Sequence, residues 1–167
     1  MTKAVVNVGD VPLNASSTGS RFAVATGEIG EALGLKGLGA MLHVVPAGKT
    51  AFPYHRHHVS DEMFLILSGA GEYRIGEERL PVRAGDCLGA PAGGEAHQII
   101  NTGSEDLRYI GFSNNTNAEV VEYVDSGKIG VTAGGSGFFF EKPTFRARGK
   151  LTPAGYWDSE NVGEPDA

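Results

Sequence analysis

The chain has 167 residues, a formal net charge of −6 and one cysteine. This length suits one compact domain with a buried core but seldom two domains. The acidic balance, without runs of basic residues, argues against a nucleic-acid surface, so no nucleic-acid partner is expected. No stretch of about 18 apolar residues occurs and residues 1–5 lack a signal-peptide pattern, which predicts a cytoplasmic protein without membrane contact.

The chain divides into three expected regions. Residues 1–37 form an N-terminal arm and the first strand, residues 38–125 form the core domain, and residues 126–167 form a C-terminal extension with a polar tail. Residues 14–20 have the composition of a flexible linker.

Short apolar runs separated by glycine turns dominate the chain. Its 25 glycines are about twice the usual share, and this punctuation is typical of short strands joined by tight turns. The predicted strands are residues 21–26, 39–45, 62–67, 71–75, 79–82, 87–90, 97–100, 107–113 and 119–124. No long amphipathic helix and no internal repeat accompany them. The sequence therefore predicts an all-β fold, a single antiparallel β-barrel of jelly-roll type.

Three of the five histidines lie within four positions of one another. In an extended strand residues i and i+2 point the same way, so His55 and His57 face one side and His58 faces the other, towards solvent or behind the site. A turn at residues 59–61 then brings Glu62, the first residue of the next strand, beside the histidine pair.

A fourth histidine, His97, begins a further strand and can supply a ligand from across the barrel. Three neutral imidazoles and one carboxylate suit a divalent Mn, Fe, Co, Ni or Zn ion. We therefore expect one divalent transition metal bound by His55, His57, Glu62 and His97. The remaining histidine, His43, is interpreted as an ordinary strand residue, and Cys87 as a small buried one.

Two segments resemble the paired motifs of the cupin superfamily. The first consists of Gly48, His55, His57, Glu62 and Gly69. The second consists of Gly85, Pro91, Gly93, His97 and Asn101. One extra residue precedes His55 relative to the family pattern, and one precedes His97 unless Gly94 replaces Gly93, but no ligand is lost. The match covers about the middle third of the chain.

Within that superfamily, the chain resembles small cupins likened to mannose-6-phosphate isomerases. The resemblance implies a metal-dependent enzyme of isomerase or epimerase type that acts on a small oxygen-rich substrate, a sugar or sugar phosphate. An Fe(II)-dependent dioxygenase and a non-catalytic small-molecule-binding cupin remain open alternatives.

Residue type alone supplies the candidates for other roles in the reaction. Candidate phosphate ligands are Arg56, Arg74 and Lys128. No catalytic base is identified, and the candidates are Tyr54, Tyr73, Tyr109, Glu72 and Glu95. Strand parity places Phe64, Ile66 and Ile99 on the same side as the ligands, so these three are expected to form the apolar wall of the substrate pocket.

The strand at residues 62–67 is apolar on both faces, which implies that its outer face is covered. The C-terminal extension, with aromatic residues at 138–140 and 156–157, or a second subunit would provide this cover. Cupins of this kind commonly pair through their barrel sheets, and the resemblance therefore implies a homodimer.

Overall fold

The computed structural model describes residues 3–134 and 142–163. Its strands are β1 (Asn14–Thr18), β2 (Phe22–Glu28), β3 (Leu38–Val45), β4 (Arg56–His57), β5 (Glu62–Ser68), β6 (Ala70–Ile75), β7 (Glu78–Arg83), β8 (Cys87–Ala90), β9 (His97–Ile100), β10 (Leu107–Asn114), β11 (Ala118–Tyr123), β12 (Lys128–Ala133) and β13 (Phe145–Gly149). The helix α1 spans Ile29–Ala32, and single 3₁₀ turns lie at Val8–Asp10 and Val124–Ser126. Within the described ranges no helix is long and apolar enough to cross a membrane.

The strands form antiparallel sheets, which confirms the predicted all-β class. One sheet has the order β1-β2-β3-β10-β5-β8. The others have the orders β7-β6-β9 and β13-β12-β11-β4, and a bridge between His55 and His97 joins β4 to β9. The two shorter sheets thereby continue into one another.

The main hydrophobic core contains side chains from the six-stranded sheet and from the sheet β7-β6-β9. Phe64, Ile66 and Tyr109 of the six-stranded sheet pack in one cluster with Tyr73 of β6 and Ile99 of β9. Along β5 the buried residues alternate with more exposed ones, as expected for a strand with one face in the core. This core supports the strands that carry the predicted metal ligands.

A second hydrophobic cluster covers the outer face of the six-stranded sheet. Val11 of the N-terminal arm and Ile29 of α1 pack with Leu42 of β3, and Leu67 of β5 lies against them. The expected cover for this face was the C-terminal extension or a second subunit, but the N-terminal arm and α1 provide much of it. At the other end of β5, Met63 remains 46% exposed.

Tyr156 and Trp157 of the C-terminal extension do not supply this cover in the single chain. Tyr156 and Trp157 are 85% and 67% exposed. The other predicted aromatic group, residues 138–140, lies outside the described residues.

Several elements differ from the sequence-based expectations. Strand β1 occupies most of the predicted linker at residues 14–20 and pairs along its whole length with β2. Its side chains are all exposed, so no apolar alternation marked it as a strand. Strands β12 and β13 extend the sheet beyond β11. Cys87, expected to be buried, is exposed.

Candidate metal centre and its cavity

Two of the predicted ligands are held opposite each other by the backbone. The amide of His55 donates to the carbonyl of His97 at 3.1 Å, and the amide of His97 donates to the carbonyl of His55 at 2.7 Å. This is a directly opposed antiparallel pair, so the two side chains lie on the same side of the sheet. Their ring centroids are 4.7 Å apart.

Glu62, the first residue of β5, reaches this pair from the opposite sheet. Its Oε2 lies 3.1 Å from Nε2 of His97 and 3.4 Å from Nε2 of His57. The candidate donor atoms of His55, His57 and Glu62 all lie within 4.8 Å of one another. The fold thus brings the four predicted ligands together, while His58 is exposed and faces Glu122 at 3.5 Å.

The turn that precedes His97 depends on one motif glycine. Gly93 has φ +68°, a left-handed conformation that glycine adopts without strain. Its amide donates to the carbonyl of His57 at 2.8 Å. Gly93 therefore fills the left-handed position of this turn.

The protonation states of His55 and Glu62 favour metal binding at this site. Nδ1 of His55 lies 2.7 Å from the carbonyl oxygen of Pro53. Because this oxygen can only accept a hydrogen bond, Nδ1 carries the proton and Nε2 keeps a free lone pair. Burial, together with the adjacent imidazoles of His97 and His57, lowers the pKa of His55 to about 4. Burial raises the pKa of Glu62, but those imidazoles outweigh it and bring the pKa below its ordinary value. Near neutral pH His55 is neutral and Glu62 is ionised.

A second carboxylate lies behind His57 and was not identified as part of the site from the sequence. Glu119 of β11 is 5% exposed, and its Oε2 lies 3.2 Å from Nδ1 of His57. The same carboxylate accepts backbone hydrogen bonds from Val59, Ser60 and Val120 at 2.9 to 3.1 Å. Burial would raise the pKa of Glu119, but His57 and these amides lower it to about 2. A carboxylate in this position fixes the orientation of a ligating imidazole.

Unsatisfied polar atoms at the cluster indicate that it is built for a cation. Oε2 of Glu62 and Nε2 of His97 are buried 3.1 Å apart, and neither makes a hydrogen bond of good geometry with any described residue. Burial of such groups without partners is costly. A divalent ion would satisfy both, and the combination of imidazoles with one carboxylate fits a transition metal. The donor set therefore fits the group that the sequence predicted.

A cavity of about 510 Å³ opens beside the cluster, a volume within the roughly 300–1,000 Å³ range of small-molecule sites. Phe64 and Ile99 line it, as expected for the apolar wall. Ile66, the third expected wall residue, is 1% exposed and packs in the core instead of lining the cavity. Strand parity correctly predicted that Ile66 faces inward. Ile66 lies further from Glu62 along β5 than Phe64 does.

His43, interpreted from the sequence as an ordinary strand residue, also lines the cavity. It is 5% exposed, stacks on Tyr109 with ring centroids 4.7 Å apart, and its Nδ1 has no hydrogen-bond partner in the described part of the chain. Burial lowers its pKa to about 4, so the ring is neutral. His43 and the core residue Val45 share one face of β3, and this strand parity was the sequence feature that indicated an inward-facing side chain.

The base candidates chosen by residue type are mostly placed elsewhere. Tyr109 lines the cavity, and burial raises its pKa far above the ordinary range. The hydroxyls of Tyr54 and Tyr73 donate to the carbonyls of Gly76 and Gly89. Glu72 pairs with Arg79, and Glu95 lines a separate groove.

The candidate phosphate ligands are also outside the cavity. Arg56 pairs with Glu122 at 2.6 Å, and Arg74 makes two contacts with Asp125 at 2.9 and 3.0 Å. Both arginines line the separate groove. Lys128 lies 5.7 Å from the centre of the Tyr123 ring and does not line the cavity. Arg146 and Arg148 of β13, which the sequence analysis did not consider, do line it.

The antiparallel sheets, the paired motifs and the clustered histidines resemble those of small cupins. Residues 41–113 match the family described as "Cupin domain". This match covers less than half of the chain, and the chain as a whole resembles small cupins described as sugar phosphate isomerases.

Three known proteins illustrate these similarities. A proposed sugar phosphate isomerase of Acidithiobacillus ferrooxidans has a TM-score of 0.72 and 25% identity, over 77% of this chain and 86% of that one. A cupin-superfamily sugar phosphate isomerase of Silicibacter pomeroyi has a TM-score of 0.73 and 20% identity, over 87% and 92% of the two chains, and supports the fold. An oxalate-binding protein of Thermotoga maritima is 36% identical over 56 residues, which is 34% of this chain and less than half, 46%, of that protein.

Proposed function

We propose that this protein is a metal-dependent enzyme that isomerises or epimerises a sugar or sugar phosphate. The observation that carries the proposal is the cluster of His55, His57, Glu62 and His97 beside a cavity of about 510 Å³. The similarity to a proposed sugar phosphate isomerase at 25% identity supports the same substrate class.

The four ligands would hold one Mn, Fe, Ni or Zn ion. A bound divalent ion supplies positive charge that polarises a carbonyl oxygen of the substrate. The apolar side chains of Phe64 and Ile99 exclude water from this part of the cavity. Electrostatic interactions are stronger where the local dielectric is low, so this exclusion increases the effect on the substrate.

Isomerisation moves a proton between neighbouring carbons of the sugar, and this requires a base beside the cavity. His43 is the best-placed candidate because its imidazole ring lines the cavity, where it stacks on Tyr109. With its pKa lowered to about 4 it is neutral at physiological pH. We assign to its imidazole ring the removal of the proton from one carbon and its return to the next.

Anaerobic turnover of aldoses, ketoses and their phosphates, with added Mn, Fe, Ni or Zn, tests the proposal. Incorporation of deuterium from D₂O into the product without oxygen consumption is the expected result. Turnover that requires Fe(II) and O₂ would show a dioxygenase instead. A single His43→Gln substitution should lower kcat by roughly 10²–10⁴-fold while metal content is unchanged. His58→Gln is the matched control, since His58 is exposed and faces away from the cluster.

A non-catalytic carboxylate-binding protein is the second candidate. The 36% identity to an oxalate-binding protein over 56 residues favours it. Tight binding of oxalate by the metal-loaded protein, with no turnover of any sugar in the panel, would support this candidate over the enzyme.

A further inference from the structure

The C-terminal strand β13 places two arginines at the candidate metal centre's cavity. Arg146 pairs with Thr132 and Arg148 pairs with Gly130 in the register between β13 and β12. Residues two apart on a strand share one face, and these four residues all line the cavity. The arginines are exposed whereas the metal-site residue His97 is buried, so the cavity connects a buried cluster with a cationic opening.

Arg148 is held in this position by an aromatic ring. Its guanidinium carbon lies 5.1 Å from the centre of the Tyr123 ring, and that ring stacks with His55 at 6.3 Å. A Cβ at Gly130 would lie 3.4 Å from the Tyr123 ring and 3.6 Å from Nε of Arg148. These are ordinary van der Waals distances, so Gly130 lies directly against both groups. A single tyrosine ring separates the guanidinium from a metal-ligand candidate.

The charges around the cavity favour an anion at this opening. Among the residues that the structure describes, the acidic side chains that line the cavity are Glu62 and Glu119, and both face imidazoles or backbone amides. Within the described ranges, the cationic side chains that line it are Arg146 and Arg148, and the Arg148 guanidinium lies against the Tyr123 ring. A guanidinium presents a planar set of donors that matches the oxygens of phosphate.

We propose that Arg146 and Arg148 form an anion subsite that binds the phosphate group of a phosphorylated sugar whose carbonyl end reaches the histidine cluster. This assignment rests on the proposed function for its substrate, whereas the anion subsite itself does not require turnover. Thr132 adds a hydroxyl to the same wall. The subsite would select phosphorylated over unphosphorylated sugars.

Binding of inorganic phosphate, measured by isothermal titration calorimetry on the full-length protein, tests the subsite independently of catalysis. Zinc-loaded and metal-free protein are compared, because phosphate bound by the ion itself disappears on metal removal. In the metal-free protein, Arg146→Gln and Arg148→Gln should each weaken phosphate binding at least threefold, and the double variant at least tenfold. Arg79→Gln is the control: it removes the same charge from a side chain that pairs with Glu72 outside the cavity.

The kinetic prediction is a rise of at least tenfold in KM for the sugar phosphate in the double variant, with kinetics for the unphosphorylated sugar unchanged. If the wild type turns over no sugar but binds phosphate through these arginines, the proposed function fails and the subsite stands. If metal-free wild type binds no phosphate, or the double variant binds it equally well, the subsite is refuted. If the arginines are required for oxalate but not for phosphate, the assignment to phosphate is overturned. Circular dichroism and zinc content confirm that each variant is folded.

Discussion

Replacing Glu119 with glutamine tests whether the carboxylate behind His57 supports both the fold and the metal site. Glu119 is buried and its pKa is lowered to about 2 from the ordinary 4.5. At about 1.4 kcal/mol for each pH unit, this difference corresponds to about 3 kcal/mol of folding stability. Because the folded pKa is depressed, the contribution is complete above pH 4.5 and is lost as the pH falls towards 2.

Glutamine keeps one acceptor oxygen, so the expected loss for Glu119→Gln in the metal-free protein at pH 7 is about 2 kcal/mol. The difference from wild type should shrink between pH 4.5 and 2, where the wild-type carboxylate becomes protonated. Metal affinity should fall about 10–100-fold because His57 loses the group that orients its ring. Urea denaturation at several pH values and calorimetric metal titration measure the two effects.

Glu122→Gln on the same strand is the matched control. Glu122 pairs with Arg56 at the surface, and an exposed pair of this kind contributes about 0–1 kcal/mol. Equal stability and equal metal affinity for the two variants would refute the role given to Glu119.

Three further predictions concern the metal site and the assembly. His57→Ala and His97→Ala should each lose stoichiometric metal on dialysis, as measured by elemental analysis; full retention by either would remove that residue from the ligand set. Burial lowers the pKa of His57, but Glu119 and Glu62 outweigh it and raise that pKa above its ordinary 6.5. An incoming ion therefore displaces a proton from His57, and metal affinity should rise with pH through the neutral range, with proton release visible as a buffer-dependent binding enthalpy. A pH-independent affinity would contradict this. Because Met63 remains exposed at the end of β5, light scattering should return a homodimer of about twice 17.5 kDa, and the monomer mass at micromolar concentration would disprove it.

The sequence was most informative where a local pattern determines the structure. Strands β8 and β9 have the predicted bounds because turn residues delimit short apolar runs. The grouping of His55, His57 and Glu62 followed from the spacing of the two histidines and from the turn before Glu62. These features depend on neighbours in the chain, so strand parity and turn chemistry were sufficient to predict them.

Other parts of the site depend on pairing between distant segments, which one sequence does not reveal. Glu119 reaches His57 only because β11 pairs with β4, a strand of two residues. Arg148 reaches the cavity through β13, whose exposed side chains gave no apolar alternation. The sequence does not reveal that His43 lines the cavity, because a single histidine in an apolar strand gives no indication of whether it faces a cavity or the core.

The paired hydrogen bonds between His55 and His97 have a consequence for local opening of the protein. They join β4 to β9, strands that otherwise belong to different sheets, and they involve the amides of two candidate metal ligands. An ion bound to both imidazoles would also link β4 to β9 through the side chains of these two residues. Slow amide hydrogen exchange at His55 and His97 would then report metal occupancy directly, since removal of the ion lowers the free energy of opening at this junction more than in the core around Ile66.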